Sequence, residues 1–292
     1  MIITVVGLGV IGGSFVKALK DLGHQVYGID IDQKTLKSAK DGGYIIEGYQ
    51  DGKEIISKSD LTIICLYPSL VLDFLKNNQF KKGSIITDAV GIKSYFLQEA
   101  INIIDKDVEF VSGHPMAGRE KKGFEYASKE VFKNANYILI EHPVNKKESI
   151  AFMEEFVAKL GFKSVKIMSP EAHDEIISFT SQLPHALAVA LINSDNEKYD
   201  TGKYIGDSYR DLTRIANINE SLWSELFLKN RDNLLNSIDS FEVQLDLIKQ
   251  ALLDENESLL KQLFIKSSKR REKLWNRWYI VSAFFFMISI IY

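Results

Sequence analysis

A glycine-rich turn near the amino terminus constrains the fold of this chain more than any other feature. The run GLGVIGGS (7–14) directly follows the apolar run IITVV (2–6) and opens a stretch with helical periodicity. The glycines with the spacing G-x-G-x-x-G are Gly7, Gly9 and Gly12. Asp30 closes the next β-branched run, 23 residues after the first of these glycines. In this strand–turn–helix–strand context the pattern predicts a βαβ unit that binds a dinucleotide.

Each position of the glycine turn has a predicted role. The first glycine permits the tight turn, the second lets the backbone approach a pyrophosphate, and the third allows close packing of helix and strand. The pyrophosphate is expected on the free N–H groups of the helix N-terminus. The predicted cofactor contacts are therefore Gly7, Leu8, Gly9, Val10, Ile11 and Gly12. Asp30 can bind the ribose 2′-hydroxyl of NAD and would repel the extra phosphate of NADP, so NAD is the predicted cofactor.

Strand and helix patterns alternate over the first part of the chain. Further apolar runs lie at 25–30, 60–67, 84–89, 108–111, 136–141 and 164–168. Near-continuous apolar strands between helices predict an α/β Rossmann-type fold with a mainly parallel, doubly wound sheet. In such sheets ligands bind at the carboxyl ends of the strands. We therefore predict a dinucleotide-binding domain over residues 1–168.

The pattern becomes helical after Ser169. Residues 170–193 form one long predicted helix, with a local kink because Pro184 removes an N–H from its interior. An apolar stripe at three-and-four spacing over 222–252 indicates a long amphipathic helix that forms a core or a dimer face. Residues 169–274 are therefore predicted to be an all-helical domain for substrate binding and dimerisation, followed by an atypical hydrophobic tail at 275–292.

Composition excludes several classes of partner. The 36 basic and 39 acidic residues give a net charge of −3, which offers no footprint for nucleic acid. The single cysteine, Cys65, cannot form a disulfide framework or a cysteine-based zinc site, so we expect a reducing cytoplasm and no metal. The amino terminus lacks the pattern of a signal peptide.

The tail at 278–292, WYIVSAFFFMISIIY, holds no charge but is shorter than the roughly 20 residues that span a bilayer. It could pack on the helical domain, be poorly ordered or lie at a membrane interface. A membrane partner is not expected.

Four further stretches follow the glycine turn in a fixed order. They are TDAVGIK (87–93), SGHPMAGRE (112–120), SQLPHALA (181–188) and RDLTRIA (210–216), with Trp223 after them. In this order they resemble the prephenate dehydrogenase family of tyrosine biosynthesis, over roughly residues 1–274. The resemblance implies hydride transfer from the ring carbinol of prephenate to NAD, loss of the ring carboxylate as CO2, and formation of 4-hydroxyphenylpyruvate. Arogenate dehydrogenase and a non-catalytic NAD-binding paralogue remain alternatives.

The resemblance also implies roles for individual side chains. His114 is the candidate base, because a neutral imidazole at a strand end can accept the hydroxyl proton near neutral pH. Arg214 matches the ligand of the side-chain carboxylate, and Asp211 could hold it in place. His185 matches a substrate-binding histidine, and Glu120 matches a position that gates or binds substrate.

One position departs from the family pattern. The family commonly has a serine hydroxyl near the catalytic histidine. This chain has Gly91 at that position, which the resemblance places in the substrate site. Thr87, Ser94 or a water molecule could replace that hydroxyl.

The remaining histidines and one further arginine have no predicted part in the chemistry. His173, His24 and His142 are expected in capping or surface roles, and Arg210 in a surface ion pair. The long helical stripe and the family resemblance both indicate a homodimer formed through the helical half.

Overall fold

The structure is a computed structural model that describes the backbone of residues 1–118 and 121–288 and the side chains of residues 1–118 and 121–274. The chain divides into two compact units, Met1–Leu234 and Leu235–Tyr292. The first unit contains all the described strands and the helices up to residue 229, and the second is helical.

A six-stranded parallel sheet forms the centre of the first unit. Its strands are β1 (Ile2–Val6), β2 (Gln25–Ile29), β3 (Gly48–Tyr49), β4 (Leu61–Ile64), β5 (Ile85–Asp88) and β6 (Glu109–Phe110). They lie in the order β3-β2-β1-β4-β5-β6. The connecting helices are α1 (Val10–Leu19), α2 (Gln33–Asp41), α3 (Pro68–Lys76) and α4 (Leu97–Ile103). The strand order reverses between β1 and β4, and the crevice at their carboxyl ends is the expected ligand site.

Burial of the central strands confirms the predicted doubly wound sheet. Ile3, Val5 and Val6 of β1 are each at most 1% exposed, so both faces of this strand are covered. One core cluster packs Phe15 of α1 against the sheet. A second cluster brings Ile86 of β5 together with Ile177 and Leu226, which belong to the helices that follow the sheet.

The chain leaves the main sheet directly after β6. Strands β7 (Gly113–Pro115), β8 (Asn136–Ile140) and β9 (Ser164–Met168) form a second sheet, with α5 (Lys147–Lys159) between the last two. The runs 136–141 and 164–168, expected in the main sheet, form this second sheet instead. Only two residues separate β6 from β7, which is too short for a crossover to a parallel position, and β7 pairs antiparallel to β8.

Helices make up the rest of the described chain. They are α6 (Pro170–Ile177), α7 (Leu183–Asn193), α8 (Asp207–Thr213), α9 (Glu220–Lys229), α10 (Arg231–Leu253) and α11 (Glu257–Ile288). A π-helical turn at Ser178–Gln182 joins α6 to α7, so 170–193 is one continuous helical run as predicted. Pro184 has no N–H to donate, so the helix widens into a π-helical turn just before it. This widened turn stands where the kink was expected.

Within the described residues, one helical run, Pro170–Asn193, is long and apolar enough to cross a bilayer by length and composition alone. The core helix of a globular protein passes the same test. This run carries His173 and Asp174, which are 0% and 2% exposed among other protein groups. Other apolar side chains of the run stay exposed, including Ile176 and Phe179.

The second unit contains most of α10 together with α11. Residues 254–256 separate the two helices, because α10 ends at Leu253 and α11 begins at Glu257. Apolar side chains of the predicted stripe stay exposed on α10, including Leu245 and Leu252. The backbone of α11 continues past the predicted helix end at Leu274, while the side chains of the hydrophobic tail lie outside the described residues.

Candidate active site

The glycine turn after β1 has the geometry of a dinucleotide cradle. Gly7 has a φ of +82°, and a Cβ placed there would lie 2.7 Å from the carbonyl oxygen of Cys65. A Cβ on Gly12 would lie 1.8 Å from the carbonyl oxygen of Gly7, so helix and turn are in direct contact. A Cβ on Gly9 would meet nothing within 4 Å. The exposed backbone at Gly9, at the N-terminus of α1, therefore leaves room for a pyrophosphate.

The end of β2 supplies the acidic group that the cofactor site needs. The Asp30 carboxylate accepts hydrogen bonds from the backbone N–H of Leu8 (2.7 Å) and of Asp32 (2.9 Å). These bonds hold it beside the glycine turn. Asp32 in turn caps α2 by accepting from the N–H groups of Lys34 and Thr35. Carboxylates thus occupy the places where the 2′-phosphate of NADP would need a cation, so the residues present fit NAD.

The six turn positions do not contribute in the same way. The Leu8 side chain is fully buried in the core, so only its backbone is available to a cofactor. Ile11 is partly buried and packs against the same core, and Val10 opens α1. At these positions we therefore predict that NAD contacts backbone groups.

His114 lies in the middle of β7, opposite Ile138 of β8. Its Nδ1 is 2.9 Å from Nε2 of His173. A methyl group on Gly91 would lie 3.6 Å from Nε2 of His114 and 3.5 Å from Cδ2 of Leu226. The structure therefore brings His114 and Gly91 together, as the resemblance implies.

The prediction of a capping or surface role for His173 is wrong. His173 is 0% exposed, and its Nδ1 lies 2.7 Å from Oδ1 of Asp174. Asp174 also accepts from the backbone N–H groups of Lys93 and Ser94, each at 2.8 Å. Both residues lie on α6, the helix that directly follows β9. The sequence signal that could have found His173 is its four-residue spacing from Ile177, since both are buried on one helix face.

A buried ion pair lies next to His114. Nζ of Lys93 is 2.6 Å from Oδ2 of Asp88 and 2.7 Å from the carbonyl oxygen of Gly113, and both charged side chains are 0% exposed. Ser112 donates to the other oxygen of Asp88. Burial lowers the pKa of Lys93 below its ordinary value, although Asp88 acts in the opposite direction. Asp88 and Lys93 belong to a motif that the sequence singles out, but the motif alone assigns neither of them a role.

His185 and Trp223 stack together and form what is here called the His185 wall. Nδ1 of His185 is 2.8 Å from the carbonyl oxygen of Ser181, one turn earlier in the π-helical segment. The imidazole stacks on the Trp223 ring with centroids 3.7 Å apart. Trp223 and Leu226 both belong to α9, so one helix contacts His185 at one point and Gly91 at another.

The predicted anion-binding residues lie next to this wall. Arg214 begins a single 3-10 turn, Arg214–Ala216, that packs against α7, the helix of His185. Arg214 and Asp211 are both exposed. Arg210 forms an exposed ion pair with Asp207, which confirms its predicted surface role. Glu120 lies outside the described residues.

Among the described residues there is no group of three or more His, Cys, Asp or Glu side chains placed to hold a metal ion.

Two substitutions in the glycine turn form a matched pair that tests its assigned role. We expect Gly9→Val to fold normally but to bind NAD roughly 100-fold more weakly, equivalent to about 2.8 kcal/mol, because its side chain fills the pyrophosphate space. Gly12→Val should instead lose folding stability, since its Cβ overlaps the Gly7 carbonyl. Titration with NAD and thermal unfolding of both variants check this. Unchanged NAD affinity in Gly9→Val would contradict the assigned cradle.

Comparison with known proteins identifies the family to which the chain belongs. Residues 15–166 match the family model "Prephenate dehydrogenase, nucleotide-binding domain", and residues 169–266 match "Prephenate dehydrogenase, dimerization domain". Prephenate dehydrogenase of Bacillus subtilis (strain 168) is 29% identical over 93% of this chain and 76% of its own length.

Solved structures extend the comparison. Prephenate dehydrogenase from A. aeolicus, in complex with hydroxyphenyl propionate and NAD+, is 30% identical with a TM-score of 0.84, over 93% of this chain and 98% of that one. Synechocystis arogenate dehydrogenase is 26% identical with a TM-score of 0.80, over 94% of this chain and 100% of that one. This chain belongs to the prephenate dehydrogenase family of NAD-dependent oxidoreductases.

Proposed function

We propose that the chain converts prephenate and NAD to 4-hydroxyphenylpyruvate, CO2 and NADH, with His114 as the base. The observation that carries this assignment is the position of the His114 imidazole. One ring nitrogen contacts His173, and the other lies beside Gly91 near the carboxyl ends of β5 and β6. The hydroxyphenyl propionate held by the A. aeolicus relative has a phenol and a carboxylate, as the product does.

The chemistry requires a group that can take a proton and return it. The hydroxyl proton of the substrate moves to Nε2 of His114 as hydride leaves the same carbon, and bound NAD supplies the hydride acceptor. The ring carboxylate then leaves as CO2, and its bonding electrons complete the aromatic ring. The proton returns from His114 to the new phenol oxygen. A neutral imidazole suits both directions because it can accept a proton on its free nitrogen and return it.

The surroundings of His114 favour the neutral base. The pKa of His114 lies well below its ordinary value because burial disfavours the imidazolium, and His173 and Lys93 add to this effect. A base that is already unprotonated at neutral pH is ready for the substrate hydroxyl.

The substrate has two carboxylates, and the candidate ligands lie along the His185 wall. Arg214 offers a planar guanidinium that can bind the side-chain carboxylate through two hydrogen bonds. Asp211 is assigned to orient Arg214, and Glu120 to gate or bind substrate. His185 is assigned to substrate binding, supported by its stacking on Trp223 and by the packing of the Arg214 turn against α7.

Gly91 has no side chain, so it cannot supply the hydroxyl that serine provides at this position in the family pattern. Losing one neutral hydrogen bond costs about 0.5–1.5 kcal/mol, or roughly threefold to tenfold in rate, which does not abolish catalysis. A Cβ at this position would make ordinary van der Waals contacts with His114 and Leu226. The position is therefore compatible with a small side chain.

The assembly and location of the enzyme follow from separate observations. The match to a dimerization domain and the exposed apolar side chains of α10 support a homodimer formed through the helical half. We retain the predicted domain boundary at 168/169, where β9 ends and α6 begins. A cytoplasmic location, with neither membrane nor nucleic acid as a partner, is consistent with the single cysteine and the net charge of −3.

The substrate assignment is tested by following NADH or NADPH formation with prephenate and with arogenate, each paired with NAD and with NADP. We expect the highest kcat/KM for prephenate with NAD, because Asp30 and Asp32 oppose the 2′-phosphate. A higher kcat/KM for arogenate would assign the enzyme to that substrate instead. Absence of reduced cofactor with all four pairings would support a non-catalytic NAD-binding protein.

Two variants separate the base from the anion ligand. His114→Asn should lower kcat by roughly 100-fold to 10,000-fold while leaving NAD affinity nearly unchanged, because only proton transfer is lost. Arg214→Gln should raise the KM for prephenate by roughly tenfold to 100-fold, the usual value of a charged hydrogen bond. Arg231→Gln is the matched control, since Arg231 is exposed and pairs with Asp232. An unchanged KM in Arg214→Gln would remove Arg214 from the substrate site.

The lowered pKa of His114 predicts a pH dependence with a definite sign. Protonation blocks the base, so kcat/KM should stay level as pH falls through about 6.5, the ordinary histidine value, and should decline only at lower pH. The profile is measured at saturating NAD, with thermal unfolding at each pH to exclude loss of fold. An acid limb centred at or above pH 6.5 or so would argue against a buried neutral base.

A further inference from the structure

We propose that His173 and Asp174 form a hydrogen-bonded relay that fixes the proton of His114 on Nδ1 and so keeps Nε2 open for the substrate. Both are positioning residues that act through His114. The proposal deepens the proposed function, because it presupposes that His114 is the base.

The relay begins at Asp174, which can only accept hydrogen bonds as a carboxylate. Its oxygens accept from the backbone N–H groups of Lys93 and Ser94, and Oδ1 lies 2.7 Å from Nδ1 of His173. Burial by itself raises the pKa of Asp174, but the hydrogen bonds from His173 and Ser94 outweigh burial and leave that pKa below its ordinary value. Because the carboxylate cannot donate, the hydrogen in the bond to His173 belongs to Nδ1 of the imidazole.

The second step follows from the charge of His173. Burial lowers the pKa of His173 below its ordinary value, although Asp174 acts against this shift. A neutral imidazole has one N–H, and Asp174 already fixes it on Nδ1. Nε2 of His173 is therefore an acceptor. The nitrogen 2.9 Å away, Nδ1 of His114, must carry the hydrogen of the bond between the two rings.

The third step concerns the free nitrogen of His114. With hydrogen on Nδ1, a neutral His114 has its lone pair on Nε2, the nitrogen beside Gly91. The opposite tautomer would present an N–H to the substrate hydroxyl and could not accept its proton. In serine proteases a buried carboxylate sets the tautomer of the catalytic histidine in this way. Here the carboxylate acts through an intervening imidazole.

The charged and titratable groups around His114 come from three elements. His173 and Asp174 face it from α6, Lys93 from the segment after β5, and Asp88 lies behind Lys93. Lys93 holds the carbonyl of Gly113 through Nζ and donates its backbone N–H to Asp174. The strand that carries His114 and the relay are therefore tied to the same lysine.

The functional test compares two substitutions at one position. His173→Leu removes the acceptor and should lower kcat by roughly 100-fold to 1,000-fold, with the KM for prephenate and the affinity for NAD within twofold or so. His173→Gln can place an amide oxygen near the position of Nε2 and should recover at least about tenfold of that loss. His24→Leu is the matched control at the amino end of β2, where full activity is expected. Wild-type kcat in His173→Leu would overturn the relay.

A direct measurement on the unaltered enzyme keeps the proposal testable if His173→Leu does not fold. Nitrogen-15 NMR of labelled histidine distinguishes protonated from unprotonated ring nitrogens. At neutral pH we expect His114 to be protonated on Nδ1 and unprotonated on Nε2, and His173 to have the same pattern. Hydrogen on Nε2 of His114 would overturn the relay. The role of His114 itself is judged separately, since activity in His114→Asn would contradict the proposed function whatever the tautomer.

Discussion

The Asp174 carboxylate is the interaction on which the geometry of the site depends. It joins two segments that are far apart in sequence, because it accepts from His173 on its own helix and from the backbone of Lys93 and Ser94 after β5. Asn230 adds a third segment by donating to the backbone carbonyl of Asp174. If α6 were shifted by one residue, its side chains would rotate by about 100° and His173 would no longer face His114. The register of α6 therefore determines how His114 is held.

The buried pair of Asp88 and Lys93 is energetically unfavourable in one respect, the loss of hydration. Two charges that are 0% exposed lose their hydration, and a buried pair is weak evidence for stability because apolar residues often do as well. The geometry explains its presence differently. Nζ of Lys93 also holds the carbonyl of Gly113, the residue before His114, and its backbone N–H binds Asp174. The pair therefore serves to locate β7 against α6, and removing one partner alone would leave a buried charge uncompensated.

Local sequence patterns were sufficient for the parts of the molecule that local physics determines. The glycine turn, the parallel strands and the continuous run at 170–193 depend on residues that are near one another in the chain, and all three were predicted. The second sheet and the role of His173 were not, because each depends on distant contacts. His114 and His173 are 59 residues apart, and the spacing of His173 from Ile177 indicates that it is buried but not which group it contacts. The burial of Lys93 is not predictable from the sequence for the same reason. Lysine is almost never buried unless a partner neutralises it, and that partner is visible only in the fold.

Helix α9 links the start of α3 to His185 and to the neighbourhood of Gly91. Glu225 accepts from the backbone N–H and the hydroxyl of Ser69 at the N-terminus of α3, where the helix dipole favours a carboxylate. The same helix presents Trp223 to His185 and Leu226 to Gly91. The His185 wall is thus anchored to the helix that follows β4, next to the crevice where the cofactor is expected. His185 differs from His114 in its partner: its Nδ1 lies 2.8 Å from the carbonyl oxygen of Ser181, which can only accept, so the hydrogen of that bond is on Nδ1. The fold thus holds the two imidazoles against different groups, a buried imidazole for His114 and an indole face for His185, and each partner orients one ring.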